Sequence, residues 1–137
     1  SGDVLSKLTY GMLVQPAGPL PWRRVTIVGF GFACGEMETM VRYQLPVTML
    51  VISNAVFGWI KAGQKSRFEQ RYFSVDFTPT DHARVAEAFG VKAWRVEAPE
   101  ALSETIQKAL QAEAPALVDI ICQPLHEAHA PVSEWIS

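Results

Sequence analysis

The stretch 29-GFGFACGEMETMVRYQLPVTMLVISNAVFGWIKAGQ-64 decides the fold that we predict for this chain. Gly29 and Gly31 open it as a turn, and residues 34–43 follow with the apolar spacing of a helix. After Pro46 comes Val47–Ser53, which is apolar on both faces, as in a central strand of a sheet that is covered on both sides. A turn, a helix and a buried strand in this order indicate an α/β fold.

The ends of this stretch carry groups that can bind an anion and a cation. Backbone N–H groups at the turn around Gly29 suit a phosphate, and the amide oxygen of Asn54 suits a hard cation. Because ligands of open parallel sheets bind beyond the carboxyl ends of the strands, we expect both groups at one edge. The stretch predicts a metal-diphosphate site that lacks a carboxylate ligand. Taken alone, Asn54 fits an ordinary turn residue after a strand better than it fits a ligand.

The remainder of the chain is predicted to alternate strands and helices. The predicted elements are a strand at 24–28, an aromatic-rich loop at 55–77, a helix at 78–90, a strand at 93–96, a helix at 99–112 and a strand at Ala116–Ile121. In the predicted helix at 78–90, Thr78 is the expected N-cap and Gly90 the expected end. His82 lies in the first turn of this helix and is expected to face solvent. This order predicts a single domain built on a parallel sheet with helices on both faces.

Length and composition limit the classes of protein that fit. The 137 residues suit one domain, for which we predict an irregular N-terminal segment 1–23 with a short helix at 3–10, an α/β domain 24–124 and a tail 125–137. The chain has 12 basic and 14 acidic residues, and the basic residues do not form a cluster. Both observations argue against a nucleic-acid partner. We expect no membrane segment and a cytoplasmic location, with Cys34 and Cys122 as reduced buried thiols.

Four blocks of sequence, at 29–47, 53–64, 71–102 and 115–124, resemble the diphosphate-binding domain of thiamine diphosphate-dependent enzymes. That group contains acetolactate synthase, pyruvate oxidase and benzoylformate decarboxylase. The resemblance spans residues 24–124 and is specific, because several spaced blocks agree in order. It implies the thiamine diphosphate-binding fold.

The resemblance also implies the ligands of the site. The side chain of Asn54 and the backbone carbonyl of Val56 would hold Mg²⁺, and the metal would bind the diphosphate of thiamine diphosphate. The implied cofactor-binding residues are Gly29, Phe30, Asn54, Val56, Phe57 and Gly58.

The chain departs from the family pattern at two places. Ser53 stands where the first of two Asn residues is expected. The Gly-Asp-Gly before Gly29 is missing, and an ungapped alignment places Ile27 where the metal-binding Asp belongs. Two explanations remain open at this point: the site is degenerate, or residues between the strand and Gly29 are missing from the sequence.

Two functional hypotheses follow from the resemblance. The first is a thiamine diphosphate and Mg²⁺-binding domain or subunit of a 2-oxo acid decarboxylase or carboligase, similar to acetolactate synthase. It would need a pyrimidine-binding domain or subunit for catalysis, would form a homo-oligomer such as a homodimer, and has no catalytic residue of its own. The alternative is a degenerate copy that acts as an oligomerisation or interaction module.

Several other residues have competing interpretations. Phe57, Trp59 and Phe73 either pack within the long loop or line the mouth of a pocket. His126 and His129 resemble a loose metal pair but lack a third ligand nearby, so we interpret them as tail residues. Glu36 and Glu38 near a helix start fit the helix dipole better than an acid/base pair.

Overall fold

The computed structural model describes residues 13–14, 24–27, 30–124 and 127. The predicted helix at 3–10, Gly29, and the histidines of the predicted tail lie outside this part of the chain. The chain divides into two compact units. One is formed by Ser1–Ile52 with Asp81–Ile120, and the other by Ser53–Thr80 with Ile121–Ser137.

In the part of the chain that the structure describes, five strands form one sheet in the order β1-β2-β3-β5-β4. The strands are β1 Leu13–Val14, β2 Arg24–Ile27, β3 Val47–Ser53, β4 Lys92–Val96 and β5 Ala116–Ile121. The pairs β2/β3 and β4/β5 are parallel, with Ile27 opposite Leu50 and Val96 opposite Ile120. These four strands confirm the predicted α/β sheet. The short β1 pairs with β2 in the antiparallel sense and was not predicted.

Five α-helices and one 3-10 turn accompany the strands in the described residues. They are α1 Phe30–Ala33, α2 Glu36–Arg42, α3 Gly58–Arg67, α4 His82–Ala88, the 3-10 turn Pro99–Ala101 and α5 Leu102–Gln111. The single helix predicted at 34–43 is wrong at its start, since Cys34 and Gly35 form a turn between α1 and α2. None of the described helices combines the length and the apolar character that a bilayer span requires.

The helix α4 begins later than its sequence predicts. Its N-cap is Asp81, whose Oδ1 accepts a hydrogen bond of 3.0 Å from the N–H of Arg84, so the prediction of Thr78 was wrong. A carboxylate at this position both satisfies a free N–H group and faces the positive end of the helix dipole. The predicted end is confirmed: Gly90 adopts φ +87°, a backbone conformation that glycine adopts without strain.

The core of the first unit joins the helices to the sheet. Its buried members are Met37, Met40, Met49, Val51, Ala86, Val91 and Leu117, with Phe30, Cys34, Val41, Val47, Val85 and Ala93 packed around them. The predicted apolar face of α2 is therefore confirmed. Phe89 is 37% exposed, because the helix ends at Ala88 and Phe89 is its C-cap.

The second unit is organised around a short antiparallel contact. Val56 forms an isolated bridge with Asp76, in which Phe57 N–H donates to the Val75 carbonyl and Phe77 N–H donates to the Ala55 carbonyl, both at 2.8 Å. Val56, Ala62 and Val75 are buried. The segment 55–77 was predicted as a loop with at most a short helix, yet it contains the ten-residue helix α3. Its two glycines and scattered aromatics conceal the helical period.

Candidate functional site

The turn after β3 holds four of the six predicted site residues: Asn54, Val56, Phe57 and Gly58. Asn54 Oδ1 accepts a hydrogen bond from Val56 N–H at 3.3 Å, which is long for such a bond. Between them, Ala55 adopts φ +52°, the left-handed region. This conformation costs an Ala residue about 1–2 kcal/mol, and strain of this kind concentrates at functional sites.

This turn also presents polar backbone atoms whose bonding capacity is not used. The backbone hydrogen bonds of the bridge use the Ala55 carbonyl and the Phe57 N–H group. The carbonyl of the buried Val56, which lies between them, accepts no hydrogen bond from the described part of the chain. The N–H groups of Gly58 and Ile60, in the first turn of α3, have no acceptor within that same part. A free carbonyl oxygen suits a cation, and free N–H groups at a helix start suit an anion.

Side chains from α3 hold the opposing segment against this turn. Lys61 Nζ lies 2.5 Å from Asp76 Oδ1. Gln64 donates to the Phe73 carbonyl at 3.3 Å and accepts from Phe73 N–H at 3.0 Å. These contacts fix the bridge that orients Val56, and they connect helix, bridge and turn within one unit.

The aromatic side chains of the second unit are largely on its surface. Phe57 and Phe77 pack edge to face with ring centroids 4.4 Å apart, yet both are about half exposed. Trp59 is also about half exposed, and Phe73 is 83% exposed. The interpretation of these aromatic residues as packing residues therefore holds in part for Phe57 and does not hold for the exposed side chain of Phe73.

The predicted site residue Phe30 belongs to the first unit, where it begins α1. Its ring packs on the core and against the ring of His82, with centroids 4.6 Å apart and planes inclined by 56°. The structure thus brings Asn54, Val56, Phe57 and Gly58 together in one turn and places Phe30 at the helix that follows β2.

A charged cluster beside Phe30 was not predicted. Asp119 on β5 is fully buried, accepts from the N–H of His82 at 3.2 Å, and lies 3.2 Å from His82 Nδ1. Arg95 on β4 donates to the same carboxylate at 3.1 Å. The expectation that His82 faces solvent is wrong, since its side chain is 21% exposed and is bonded to Asp119.

The partners of Arg95 also affect its pKa. The hydrogen bond with Glu97 raises the pKa of Arg95 above its ordinary value, burial opposes this, and the charge of Asp119 adds to it. One sequence signal could have revealed the cluster. A single charged residue in the buried strand ALVDII must find partners, because an unpaired buried charge is very costly.

The oxygen atoms of the turn are of the kind that bind a hard cation, but they do not make a complete set of metal ligands. Asn54 supplies a neutral amide oxygen and Val56 a neutral carbonyl. In the described residues no group of three or more His, Cys, Asp or Glu side chains is arranged to hold a metal ion. In the sequence, only Val28 and Gly29 stand between β2 and α1, and neither is a carboxylate. A cation here would need the negative charge of a bound phosphate.

The strands and helices described above make this an α/β domain. Residues 28–120 match the family described as thiamine pyrophosphate enzyme, C-terminal TPP binding domain. Because the match covers more than half of the chain, the protein belongs to this family. The resemblance noted from the sequence blocks is confirmed.

Three relatives illustrate the similarity. The chain is 32% identical over 92 residues to an acetolactate synthase of Bacillus subtilis, covering 67% of this chain and 16% of the relative. It is 33% identical over 123 residues to a 2-hydroxyacyl-CoA lyase of Oryza sativa, covering 83% and 21%. It is 29% identical over 126 residues to a pyruvate oxidase of Lactiplantibacillus plantarum, covering 88% and 19%. The chain therefore spans about a fifth of the length of these relatives.

Proposed function

We propose that this chain is the diphosphate-binding part of a thiamine diphosphate-dependent enzyme that decarboxylates or joins 2-oxo acids, similar to acetolactate synthase. The observation that carries the proposal is the turn at Asn54. There Ala55 is strained, and the Val56 carbonyl and the N–H groups of Gly58 and Ile60 have no hydrogen-bond partner among the described residues. This turn lies within the segment that matches the family.

Each residue of the turn has a role in this proposal. The N–H groups of Gly58 and Ile60 bind the diphosphate, and the exposed ring of Phe57 covers it from solvent. When bound, the cofactor would supply the nucleophilic carbon for chemistry on a 2-oxo acid. Gly29 and Phe30, predicted to contribute from the turn before α1, remain part of the proposed site.

Mg²⁺ binding belongs to the proposal in a restricted form. Asn54 and Val56 would supply two neutral oxygen ligands, and the diphosphate would supply the negative charge that a carboxylate provides elsewhere. We therefore expect no measurable Mg²⁺ binding without the cofactor. With the cofactor, Mg²⁺ should strengthen binding.

The proposal includes a partner, since the chain spans about a fifth of its relatives. A pyrimidine-binding domain or subunit would complete the cofactor site, within a homo-oligomer such as a dimer. The exposed rings of Trp59 and Phe73 support such a contact, because large apolar side chains on a surface favour association. A cytoplasmic location is also proposed, and the unpaired thiols of Cys34 and Cys122 agree with it.

Calorimetric titration of thiamine diphosphate tests the proposal. Wild type, Asn54→Ala and the control Gln107→Ala, an exposed residue of α5, are compared with Mg²⁺ and with EDTA. We expect binding by wild type that Mg²⁺ strengthens, weaker binding by Asn54→Ala, and no change for Gln107→Ala. Absence of binding by wild type in both conditions would contradict the proposal and support an interaction module instead.

One observation favours a second candidate, the cleavage of a 2-hydroxyacyl-CoA. The lyases of Oryza sativa, Arabidopsis thaliana and Mus musculus match 83%, 88% and 85% of this chain, whereas the acetolactate synthase of Bacillus subtilis matches 67%. An assay of the assembled enzyme with pyruvate and with a 2-hydroxyacyl-CoA would separate the two candidates. Turnover of the thioester alone would select the second.

A further inference from the structure

Both chain segments of the bridge between Val56 and Asp76 enter it through a residue in the left-handed region. Ala55 precedes Val56 with φ +52°, and Ser74 precedes the buried Val75 with φ +52°. Neither residue is glycine, so each conformation carries a steric cost. Such conformations persist only where the surrounding contacts over-determine them. We therefore examine which contacts hold the chain on either side of Ser74.

The side chain of Gln64 provides the contact on one side of Ser74. Its amide nitrogen donates to the Phe73 carbonyl at 3.3 Å, and its amide oxygen accepts from the Phe73 N–H group at 3.0 Å. One side-chain amide thus binds both polar groups of a single backbone residue, as a paired residue does in an antiparallel ladder. On the other side of Ser74, the Val75 carbonyl accepts from Phe57 N–H at 2.8 Å. Ser74 is held between these two contacts.

The same bridge fixes the backbone of Val56. Hydrogen bonds that use the Ala55 carbonyl and the Phe57 N–H group flank this residue on both sides, and Val56 itself is buried. Gln64 and the turn at Asn54 both belong to the second unit and to the described residues. The whole chain of contacts from α3 to the Val56 carbonyl therefore lies within one compact unit.

We propose that Gln64 is a positioning residue for the turn at Asn54. Its hold on the Phe73 backbone fixes the bridge and, with it, the direction of the Val56 carbonyl. This inference rests on the proposed function, in which Asn54 and Val56 are ligands of Mg²⁺. The role does not require Gln64 to touch the metal or the cofactor. Its loss should weaken the contribution of Mg²⁺ to cofactor binding and leave the binding without Mg²⁺ unchanged.

Amide hydrogen exchange of the full chain tests the hold on the bridge without any ligand. Gln64→Met keeps the length of the side chain and removes both hydrogen bonds, whereas the control Ser66→Ala changes an exposed residue of the same helix. We expect Gln64→Met to speed exchange of the Phe57 and Phe77 amides about fivefold, the change that corresponds to one net hydrogen bond. Gln64→Glu keeps the accepting oxygen and should fall between Gln64→Met and wild type. Ser66→Ala should exchange as wild type does, and Val118 in the central strand β5 reports any global unfolding.

Calorimetric titration of thiamine diphosphate, with Mg²⁺ and with EDTA, tests the link to the site. The ratio of the two affinities reports on the metal ligands, whereas contributions from the rest of the chain enter both affinities alike. We expect Gln64→Met to lower this ratio about tenfold, the lower end of the usual cost of removing a group that orients a metal ligand. Ser66→Ala should have the ratio of wild type. If Gln64→Met does not fold, Gln64→Glu is measured in its place, with a smaller decrease expected.

Two results would overturn the inference. One is a Gln64→Met variant whose Phe57 and Phe77 amides exchange as in wild type. The other is faster exchange together with the wild-type ratio of affinities, which would make Gln64 a purely structural residue. Absence of thiamine diphosphate binding by wild type would instead contradict the proposed function, and the exchange rates would still decide whether Gln64 holds the bridge.

Discussion

The Lys61 ammonium and the Asp76 carboxylate join α3 to the strand segment opposite Val56, with Nζ and Oδ1 2.5 Å apart. The Lys61 side chain is only 11% exposed, although Asp76 is 62% exposed. Lys61 Nζ also lies 4.9 Å from the centre of the Tyr72 ring. The cation is thus held by a carboxylate and an aromatic face beside the turn of the candidate site.

Asp76→Ala should destabilise the protein by about 1–3 kcal/mol, because it leaves a mostly buried ammonium without its carboxylate. The control is Glu104→Ala, which breaks an exposed pair with Lys108 and should cost much less stability, because water and salt screen an exposed pair. Chemical denaturation measures both. Equal losses in the two variants would show that the burial of Lys61 does not matter.

The N-cap of α4 can be tested by comparing two residues. Asp81→Ala should cost about 1 kcal/mol, since it removes the acceptor of the Arg84 N–H group. Thr78→Ala should have little effect, because Thr78 does not cap the helix. Urea unfolding of both variants measures the difference. The reverse ranking would support the N-cap that the sequence predicts.

The strain at Ala55 predicts a stabilising substitution. Glycine adopts φ +52° without the steric cost that Ala55 bears, so Ala55→Gly should stabilise the chain by up to about 1 kcal/mol. Ala62→Gly, in the middle of α3, is the control and should destabilise it. Melting temperatures of both variants provide the measurement. A lower melting temperature for Ala55→Gly would contradict the strain.

Burial raises the pKa of the Cys122 thiol, so stability should depend on pH in the alkaline range. The unfolded chain loses this proton at lower pH than the folded chain does. The stabilising contribution is therefore complete below the ordinary thiol pKa and is lost as pH rises through the folded value. Denaturation of wild type and Cys122→Ser at pH 7 and above pH 9 measures it. A wild-type stability that falls no more steeply than that of the variant would refute the effect.

Much of the fold could be predicted because its strands are continuous apolar runs. The strands Val47–Ser53 and Ala116–Ile121 have the predicted bounds. A parallel strand that is buried on both faces is a short, nearly continuous apolar run, which can be recognised in the sequence. The apolar spacing predicted for residues 34–43 agrees with the burial of Met37 and Met40. For the site, the family blocks located the turn at Asn54.

The rest depended on contacts that sequence spacing does not show. Asp119 and His82 are 37 residues apart, so their hydrogen bond exists only once the sheet has formed. Helix α3 has polar residues and glycines on most of its faces and is defined by its contacts with Asp76 and Phe73. The left-handed φ of Ala55 likewise lies beside the bridge between Val56 and Asp76, a contact that the sequence does not reveal.

The position of β4 at the end of the sheet has a consequence for assembly. Terminal strands expose a row of backbone groups that can pair with another chain and start aggregation. Here that row carries the exposed and charged side chain of Lys92. Its charge would oppose the approach of the same residue of a second copy laid alongside. Self-association of this protein should therefore proceed through side-chain surfaces and not by extension of the sheet at β4.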